Sequence, residues 1–361
     1  MSAWKLSIAS LLVATLVYLS SWPVPINPMS WQPPSDRGYQ APFSSNQQLA
    51  ALTTIATPFP GPETLAADNR GKVYFGLSNG DIGCIINGEL KIVSNTGGRP
   101  LGLQFDRHNN LYIADAHQGL LRLEPNGTLT KVLTEVGGQA LIYANSVAIA
   151  ADGTLYLSES TTRHAAQQYG TYQASMIDVN EHAGSGRVIQ FDPVTGTATV
   201  ILTGLNFANG VALADNDRSL LVAETGHYRV LKLHLKGDNQ GQAEVLLDNL
   251  PGFPDNLSRA DDGTYWLGLV SPRNALLDWL ANKPQLRKMI QRLPATIRPQ
   301  ATRYGHVVGF DQRGQIRFNL QDPQGGYAHV TGALLQGDTL YLSSLHQPAI
   351  ALLPWPLIAN D

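Results

Sequence analysis

The sequence predicts an all-β protein, a six-bladed β-propeller, and two observations carry that reading. One pattern returns six times at a period near 40–50 residues, the signature of propeller blades with four strands each. The composition also fits: 43% of residues are apolar and 15% charged, against a usual charged share of about 25%, so a large core can be filled. The length of 361 residues does not force a second domain, because closed β architectures often run as single units.

The repeat starts with a small residue, continues as an alternating apolar stretch, turns at Asp, Asn or Gly, and ends in a Tyr-rich strand. It reads Leu65-Ala66-Ala67-Asp68 then Val73-Tyr74-Phe75, and Leu101 to Asp106 then Leu111-Tyr112-Ile113-Ala114-Asp115. It returns as Ser146 to Ile149 then Thr154 to Leu157, and as Gly210 to Leu213 then Leu220 to Glu224. Asn256-Leu257-Ser258 before Tyr265 to Gly268, and Gly332 to Leu335 before Leu340 to Ser343, complete the six. Hairpins such as Arg187 to Asp192 then Ala198 to Leu202 supply outer strands, joined by Pro-x-x-Gly turn chemistry.

At the amino terminus, an apolar run from Leu6 to Leu19 follows Lys5 and extends to Trp22 before Pro23-Val24-Pro25. Its length lies between a signal-peptide core and a full span of about 20 residues. Residues 1–22 are therefore expected to be an uncleaved signal-anchor, with a cleaved signal peptide as the alternative; the basic flank places the remainder on the extracytoplasmic side, secreted or periplasmic after cleavage. Residues 23–45, rich in Pro, Ser, Gln and Asn, read as a tether. The propeller occupies 46–361, and a strand within Gln48 to Ile55 is expected to pair with the last blade, closing the ring and hiding two sheet edges. Within blade five, Ala275 to Arg292 departs from the repeat: Leu276, Leu277, Trp279, Leu280, Leu286, Met289, Ile290 and Leu293 recur at helical spacing. This reads as a helical insert broken at Pro284, packed as a lid over the mouth, with an apolar face able to meet lipid or substrate.

Propeller topology puts the start of each first strand and the loop after each second strand on one face. Glu63, Asn145, Asn209 and Asp255-Asn256 stand at matching places in successive repeats on that face. Such a set converging on the axis offers two carboxylates and three amides, a cage suited to Ca²⁺, which takes six to eight oxygen ligands at about 2.3–2.6 Å. Asn and Asp also cap turns routinely, so the repetition carries the inference and no single residue does. The same face holds Asp115 and Glu224, which recur at equivalent positions and are expected to tie loops together, and His164, His227 and His346, expected to be solvated loop residues.

The net charge of −3 comes with no basic run, which sets aside nucleic acid as a partner. Cys84 is the sole cysteine, so no intrachain disulfide forms. No His-Glu-x-x-His run occurs, leaving zincin chemistry unsupported, and a serine-hydrolase elbow is not expected.

In Gly61-Pro62-Glu63, Arg99-Pro100-Leu101-Gly102, Leu111 to Ala116, Asn209-Gly210-Val211, Val222-Ala223-Glu224-Thr225 and Pro251 to Asn256, the chain resembles a superfamily of six-bladed propellers. It joins strictosidine synthases, paraoxonases and gluconolactonase-type lactonases, and the likeness is nearest to its membrane-anchored group of adipocyte plasma membrane-associated proteins. The resemblance implies calcium ligands at Glu63, Asn145, Asn209, Asp255 and Asn256, and a calcium-dependent hydrolase of lactones or aryl esters. Two departures qualify it. Thr331 stands where strictosidine synthases carry a catalytic Glu, which disfavours amine–aldehyde condensation, and Leu101 stands where paraoxonases carry an active-site His.

Hydrolysis by such a site needs a base or nucleophile within hydrogen-bond reach. Asp255, His329 just ahead of the sixth inner strand, and His117 are the catalytic candidates; a small ester or lactone is the expected partner, with the membrane through the anchor. The competing expectations are a calcium-stabilised propeller that binds without catalysis and a strictosidine synthase-like condensing enzyme. Substrate identity and oligomeric state are not encoded in any motif.

Overall fold

The computed structural model describes residues 3–86 and 88–357. Six four-stranded antiparallel sheets form the ring. Blade one is Leu65–Ala67, Val73–Gly76, Asp81–Ile86 and Glu89–Asn95, and blade two is Pro100–Phe105, Leu111–Asp115, Gly119–Leu123 and Leu129–Leu133. Blade three is Ala144–Ile149, Leu155–Glu159, Gly186–Asp192 and Thr197–Leu205, and blade four is Ala208–Ala214, Ser219–Glu224, Arg229–His234 and Ala243–Leu247. Blade five is Gly252–Arg259, Tyr265–Pro272, Gly305–Phe310 and Ile316–Asp322. Blade six takes Val330–Gln336, Thr339–Ser344 and Ala349–Pro354 from the chain's end and Thr53–Ala56 from its beginning, paired antiparallel with Thr53 opposite Leu352 and Ile55 opposite Ile350. Ring closure thus joins residues about three hundred positions apart.

The core lies between blades because successive strand residues face opposite neighbours. In Tyr265–Pro272, Tyr265, Leu267 and Leu269 pack toward blade four with Leu221, Ala223 and Val230. Trp266 points the other way, among Val330, Ala333 and Leu342 of blade six, and stacks on Phe318 at 5.4 Å between centroids. Each such buried side chain stabilises the fold by roughly 1.5–3 kcal/mol, which makes every blade interface a core of its own.

Among the described residues there are five α-helices: α1 (Ala3–Ser21) ahead of the β pattern, and α2 (Ala166–Tyr169), α3 (Thr171–Glu181), α4 (Ala275–Leu280) and α5 (Pro284–Gln291) within it. The helix α1 is apolar all round, with mean hydropathy 1.4 over Trp4–Ser21 and none of that stretch buried, so it is long and apolar enough to cross a membrane. The insert of blade five is α4 and α5, parted where Pro284 opens α5, the first-turn position Pro tolerates; the Asn274 side chain caps α4 by accepting from the Leu276 and Leu277 N–H groups. A helical pair also interrupts blade three, which the sequence reading leaves as a loop.

The segment 23–45, expected to behave as a tether, is laid along the propeller. Met29 N–H donates to the Glu181 carbonyl and Trp31 N–H to the Ala281 carbonyl. The Trp31 ring stacks on His182 at 3.9 Å, Arg273 donates to the Pro34 carbonyl, and Tyr39 stacks on Tyr304 at 5.0 Å. We call this segment the strap.

Candidate metal centre at the propeller mouth

Each inner strand from blade two to blade six breaks register near its start, once in four of them and twice in blade five, where Phe253 is skipped as well. Pairing skips Leu101 in blade two, Asn145 in blade three, Asn209 and Gly210 in blade four, Asp255 and Asn256 in blade five, and Thr331 in blade six. A bulge leaves its extra residue out of the ladder and re-aims the side chain, which explains why Asn145, Asn209 and Asp255-Asn256 share one geometry, whereas Glu63 lies just ahead of Leu65–Ala67, whose pairing has no shift. Gly210 follows Asn209 because a side chain there would strike the next blade: its Cβ would lie 2.3 Å from the Leu257 nitrogen.

A row of hydroxyls orients these amides. Asn145 Nδ2 donates to Ser160 Oγ at 2.8 Å, whose own proton goes to the Ala208 carbonyl at 2.8 Å. Asn209 Nδ2 donates to Thr225 Oγ1 at 3.2 Å, and that hydroxyl donates to the Pro254 carbonyl at 2.7 Å. Asn256 Nδ2 and Thr331 Oγ1 both donate to the Glu63 carbonyl, at 2.9 and 2.6 Å. With their nitrogens engaged, the three amides present oxygens: Oδ1 of Asn145, Asn209 and Asn256 are buried without a partner, and so is the carboxyl Oδ1 of Asp255. A buried acceptor left unpaired costs about 1–3 kcal/mol, so four in one ring require a donor or a cation, and an all-oxygen set with carboxylates fits a hard divalent ion.

Glu63 and Asp255 bring the charge. Burial pushes both carboxyls above their ordinary range, and the neighbouring Glu63 raises Asp255 further, against a lowering hydrogen bond from Asn209. Arg99 partly offsets the burial of Glu63, reaching Glu63 Oε2 at 2.6 Å while its other terminal nitrogen donates to the Gly61 carbonyl. Arg99 is a site residue the sequence reading passed over; its place in Arg99-Pro100-Leu101 beside a bulge position was the available signal.

Above these groups a cavity of about 120 Å³ is bordered by Glu63, Asn209 and Asp255, with Tyr143, Phe207, Phe253, Ile177, Leu277 and Ile290 as apolar walls. Leu101, fully buried, packs behind that wall with Tyr143 and Phe207. Tyr143, Phe207 and Phe253 stand at the starts of inner strands, while Ile177, Leu277 and Ile290 come from α3, α4 and α5, so the blade-five insert borders the mouth. The part played by α3 was missed, although Ala174, Ile177, Asp178 and Glu181 are buried at helical spacing. His117 and His329 are not among the residues that border the cavity. His329 has positive φ, and burial, the largest influence on it, lowers its pKa; its ring meets His346 at 5.1 Å. His117 sits on the blade-two loop, its N–H bound to Asp115.

The loop carboxylates tie main-chain groups together, Asp115 through Oδ1 alone and Glu159 and Glu224 through both oxygens. Asp115 accepts from the Arg99, His117 and Gln118 N–H groups, Glu159 from Ile142 N–H and Arg187, and Glu224 from Asn206 N–H and Arg229. Two histidines differ from expectation. His164 is buried, with Nε2 2.7 Å from Glu181 Oε2, and His227 Nδ1 lies 2.6 Å from Glu224; both help hold the strap side of the mouth. Burial raises Glu181, but His164, Arg163 and the Asn27 N–H outweigh it and hold that carboxyl down at about 2. The group His164, Asp178 and Glu181 is compact enough for a metal, yet Glu181 has both oxygens committed to these donors. The spacing Gly-x-Ser-x-Gly does occur at Gly76-Leu77-Ser78-Asn79-Gly80, but in a strand–turn–strand of blade one, without the strand-to-helix elbow that exposes a nucleophile.

Known proteins agree with this architecture. The strictosidine synthase profile matches residues 145–238, and the strictosidine synthase-like amino-terminal profile matches 41–85. The adipocyte plasma membrane-associated protein of Rattus norvegicus is 30% identical, covering 96% of this chain and 96% of its own length. The chain belongs to the strictosidine synthase-like family. Another relative of this family, the strictosidine synthase-like 13 protein of Arabidopsis thaliana, is 33% identical over 73% of this chain and 63% of its own. Among solved structures, a gluconolactonase from Xanthomonas campestris superposes with a TM-score of 0.61 at 14% identity, covering 84% of this chain and 89% of that one. Regucalcin from Agrobacterium tumefaciens, described as a calcium-binding protein, reaches 0.58 at 14% identity over 84% and 93%. At such identities these last two establish the fold alone.

Proposed function

We propose that this strictosidine synthase-like protein is a calcium-dependent hydrolase of lactones or aryl esters, carried on a single-pass amino-terminal anchor with the propeller on the extracytoplasmic side. One observation carries the reading: four buried side-chain oxygens on three adjacent inner strands lack any partner, beside two carboxyls that burial drives toward neutrality. Asn145, Asn209, Asp255, Asn256 and Glu63 would hold the ion. When bound, Ca²⁺ supplies Lewis-acid polarisation of an ester carbonyl and stabilisation of the developing negative charge.

The chain's own residues do the rest. Tyr143, Phe207 and Phe253 exclude water and bind an apolar acyl or aryl portion, while α4 and α5 cover the mouth. Of the catalytic candidates Asp255, His329 and His117, Asp255 alone borders the cavity, which supports it as the group that orients water or attacks. Thr331, committed to the Glu63 carbonyl, has no side-chain carboxylate to offer an amine, which keeps condensation disfavoured.

A second reading draws on the absence of His117 and His329 from the cavity border: a calcium-stabilised propeller that binds a ligand without turning it over. Metal analysis of the purified protein, followed by a panel of lactones and phenyl esters with and without chelator, separates the two. Calcium-dependent turnover lost in Asp255→Ala supports hydrolysis, whereas metal-loaded, folded, inert protein supports binding. Protein that takes up no calcium overturns both.

A further inference from the structure

The anchor is fastened to the mouth rather than leading away from it. Tyr18 Oη donates to the Arg292 carbonyl at 3.0 Å. In return Arg292 Nη1 donates to the Leu19 carbonyl at 2.7 Å and its Nε to the Trp22 carbonyl at 2.5 Å. A guanidinium suits the end of α1, where the last carbonyls lack helical partners and the helix dipole is negative. The strap continues the attachment: Lys288 of α5 reaches Asn27 Oδ1, and Arg287 donates to the Ala281 and Met29 carbonyls. The base of the apolar helix therefore shares a face with the candidate metal centre.

That face is also apolar where it meets solvent. Trp22, Leu276, Trp279 and Ile297 are all exposed, and Lys283 Nζ lies 4.3 Å from the Trp279 ring centroid. Exposed Trp and Ile beside Lys and Arg, continuous with a spanning helix, is the composition of a membrane–water interface. The mouth cavity, moreover, has an outlet there. It shares Gln173, Ile177, Gln291 and Arg298 with a cleft bounded on its other side by Tyr18 and Trp22.

We propose that the propeller mouth rests on the bilayer that α1 enters, and that its cavity takes apolar ligands sideways from that bilayer through the cleft at the anchor's base. The idea rests on the anchor reading above and deepens the hydrolase reading by naming the ligand class as membrane-dissolved. It does not require turnover to be tested.

Full-length protein with single introduced cysteines, Ile297→Cys at the mouth, Leu12→Cys in α1 and Val194→Cys on the opposite face, is labelled with an environment-sensitive fluorophore; the native Cys84 is buried. The proteins are then placed in phosphatidylcholine vesicles with brominated acyl chains. The labels at 12 and 297 should each lose more than about half their emission and the label at 194 almost none, since quenching acts across a few ångströms. Quenching at 12 without quenching at 297 overturns the resting mouth while leaving the anchor. No quenching at 12 removes the anchor and this proposal together. For the ligand route, vesicles carrying a diazirine fatty-acyl methyl ester are irradiated and the adducts mapped: carbene insertion at Ile177 or Ile290 supports entry, and adducts confined to α1 overturn it.

Discussion

The two ends of the axial tunnel are made by the same inner strands and have opposite chemistry. At the mouth, bulged residues, two buried carboxyls and three helices enclose a cavity with aromatic and aliphatic walls. At the far end a wider opening is bordered by Gln104, Asp217, Ser258, Arg259 and Gln336, and among the described residues no helix covers it. The far-end turns repeat one device: Asp68, Asp106, Asp152, Asp262 and Asp311 each accept a main-chain N–H two residues on, the Asx-turn that fixes a tight hairpin. The comparison teaches that the repeat spends its regularity on the end that only has to reverse the chain. Its departures, the bulges and the long excursions from Glu159 to Gly186 and from Pro272 to Gly305, gather at the mouth, where the inner strands start.

The sharpest way to break this contrast is Asp255→Ala. In excess calcium the variant should lose the stabilisation that bound metal gives the folded state, about 2.7 kcal/mol at a hundredfold excess over Kd, together with any ester turnover. In chelator it should be as stable as the parent or more so, because Asp255 is a carboxyl that burial and Glu63 make costly to ionise. Calorimetry in both conditions decides; a variant weakened equally with and without calcium would reduce Asp255 to a packing role.

The mouth should also titrate before the far end. Burial, with His227 adding to it at His182, drives His182 down to about 2, and burial drives His306 down to about 4. Both folded values lie below the unfolded value near 6.5, so their contribution is present above pH 6.5 and is lost as pH falls and the unfolded chain takes up the protons. The slope should approach about 1.4 kcal/mol per pH unit for each residue between pH 6.5 and 4. Hydrogen bonding holds Asp152 below its ordinary value, so that far-end turn keeps its charge across this window. Urea midpoints at pH 7 and 5 measure the slope, and His182→Asn, which suits the positive φ there, should remove about half of it.

Smaller effects sharpen the picture further. Gly210→Ala puts a methyl against the blade-five backbone and should destabilise by about 1–3 kcal/mol, with calcium affinity falling as the bulges part; unchanged affinity in a calcium titration would uncouple bulge from cage. Gln104→Ala, exposed at the far end, should stay within about 0.5 kcal/mol and leave calcium binding untouched.

Much of this was legible in the residues. Period-2 apolar patterning marked the strands, Asp and Gly marked the far-end turns, and Glu63, Asn145, Asn209 and Asp255 announced themselves by recurring in register. Pro284 marked the break between α4 and α5. Less legible were contacts across the ring. Nothing local to His164 says that Glu181 will bury it, and nothing in 23–45 says that Trp31 will stack on His182. The helix α3 buries Asp178 and Glu181 beside Ala174 and Ile177, so its buried face is not an apolar stripe and depends on the strap and the blade-three loop assembling around it.

The sequence by itself determined the number of blades, the apolar amino-terminal helix and which side chains occupy equivalent places, because these depend on periodicity and on chemistry repeated along the chain. Only the tertiary structure decided that the strap clasps the mouth, that Arg99 pairs with Glu63 and that the amide oxygens are left without donors. Those outcomes depend on which distant groups meet once Thr53–Ala56 closes the ring, and the pairing of groups so far apart in the chain leaves no periodic trace.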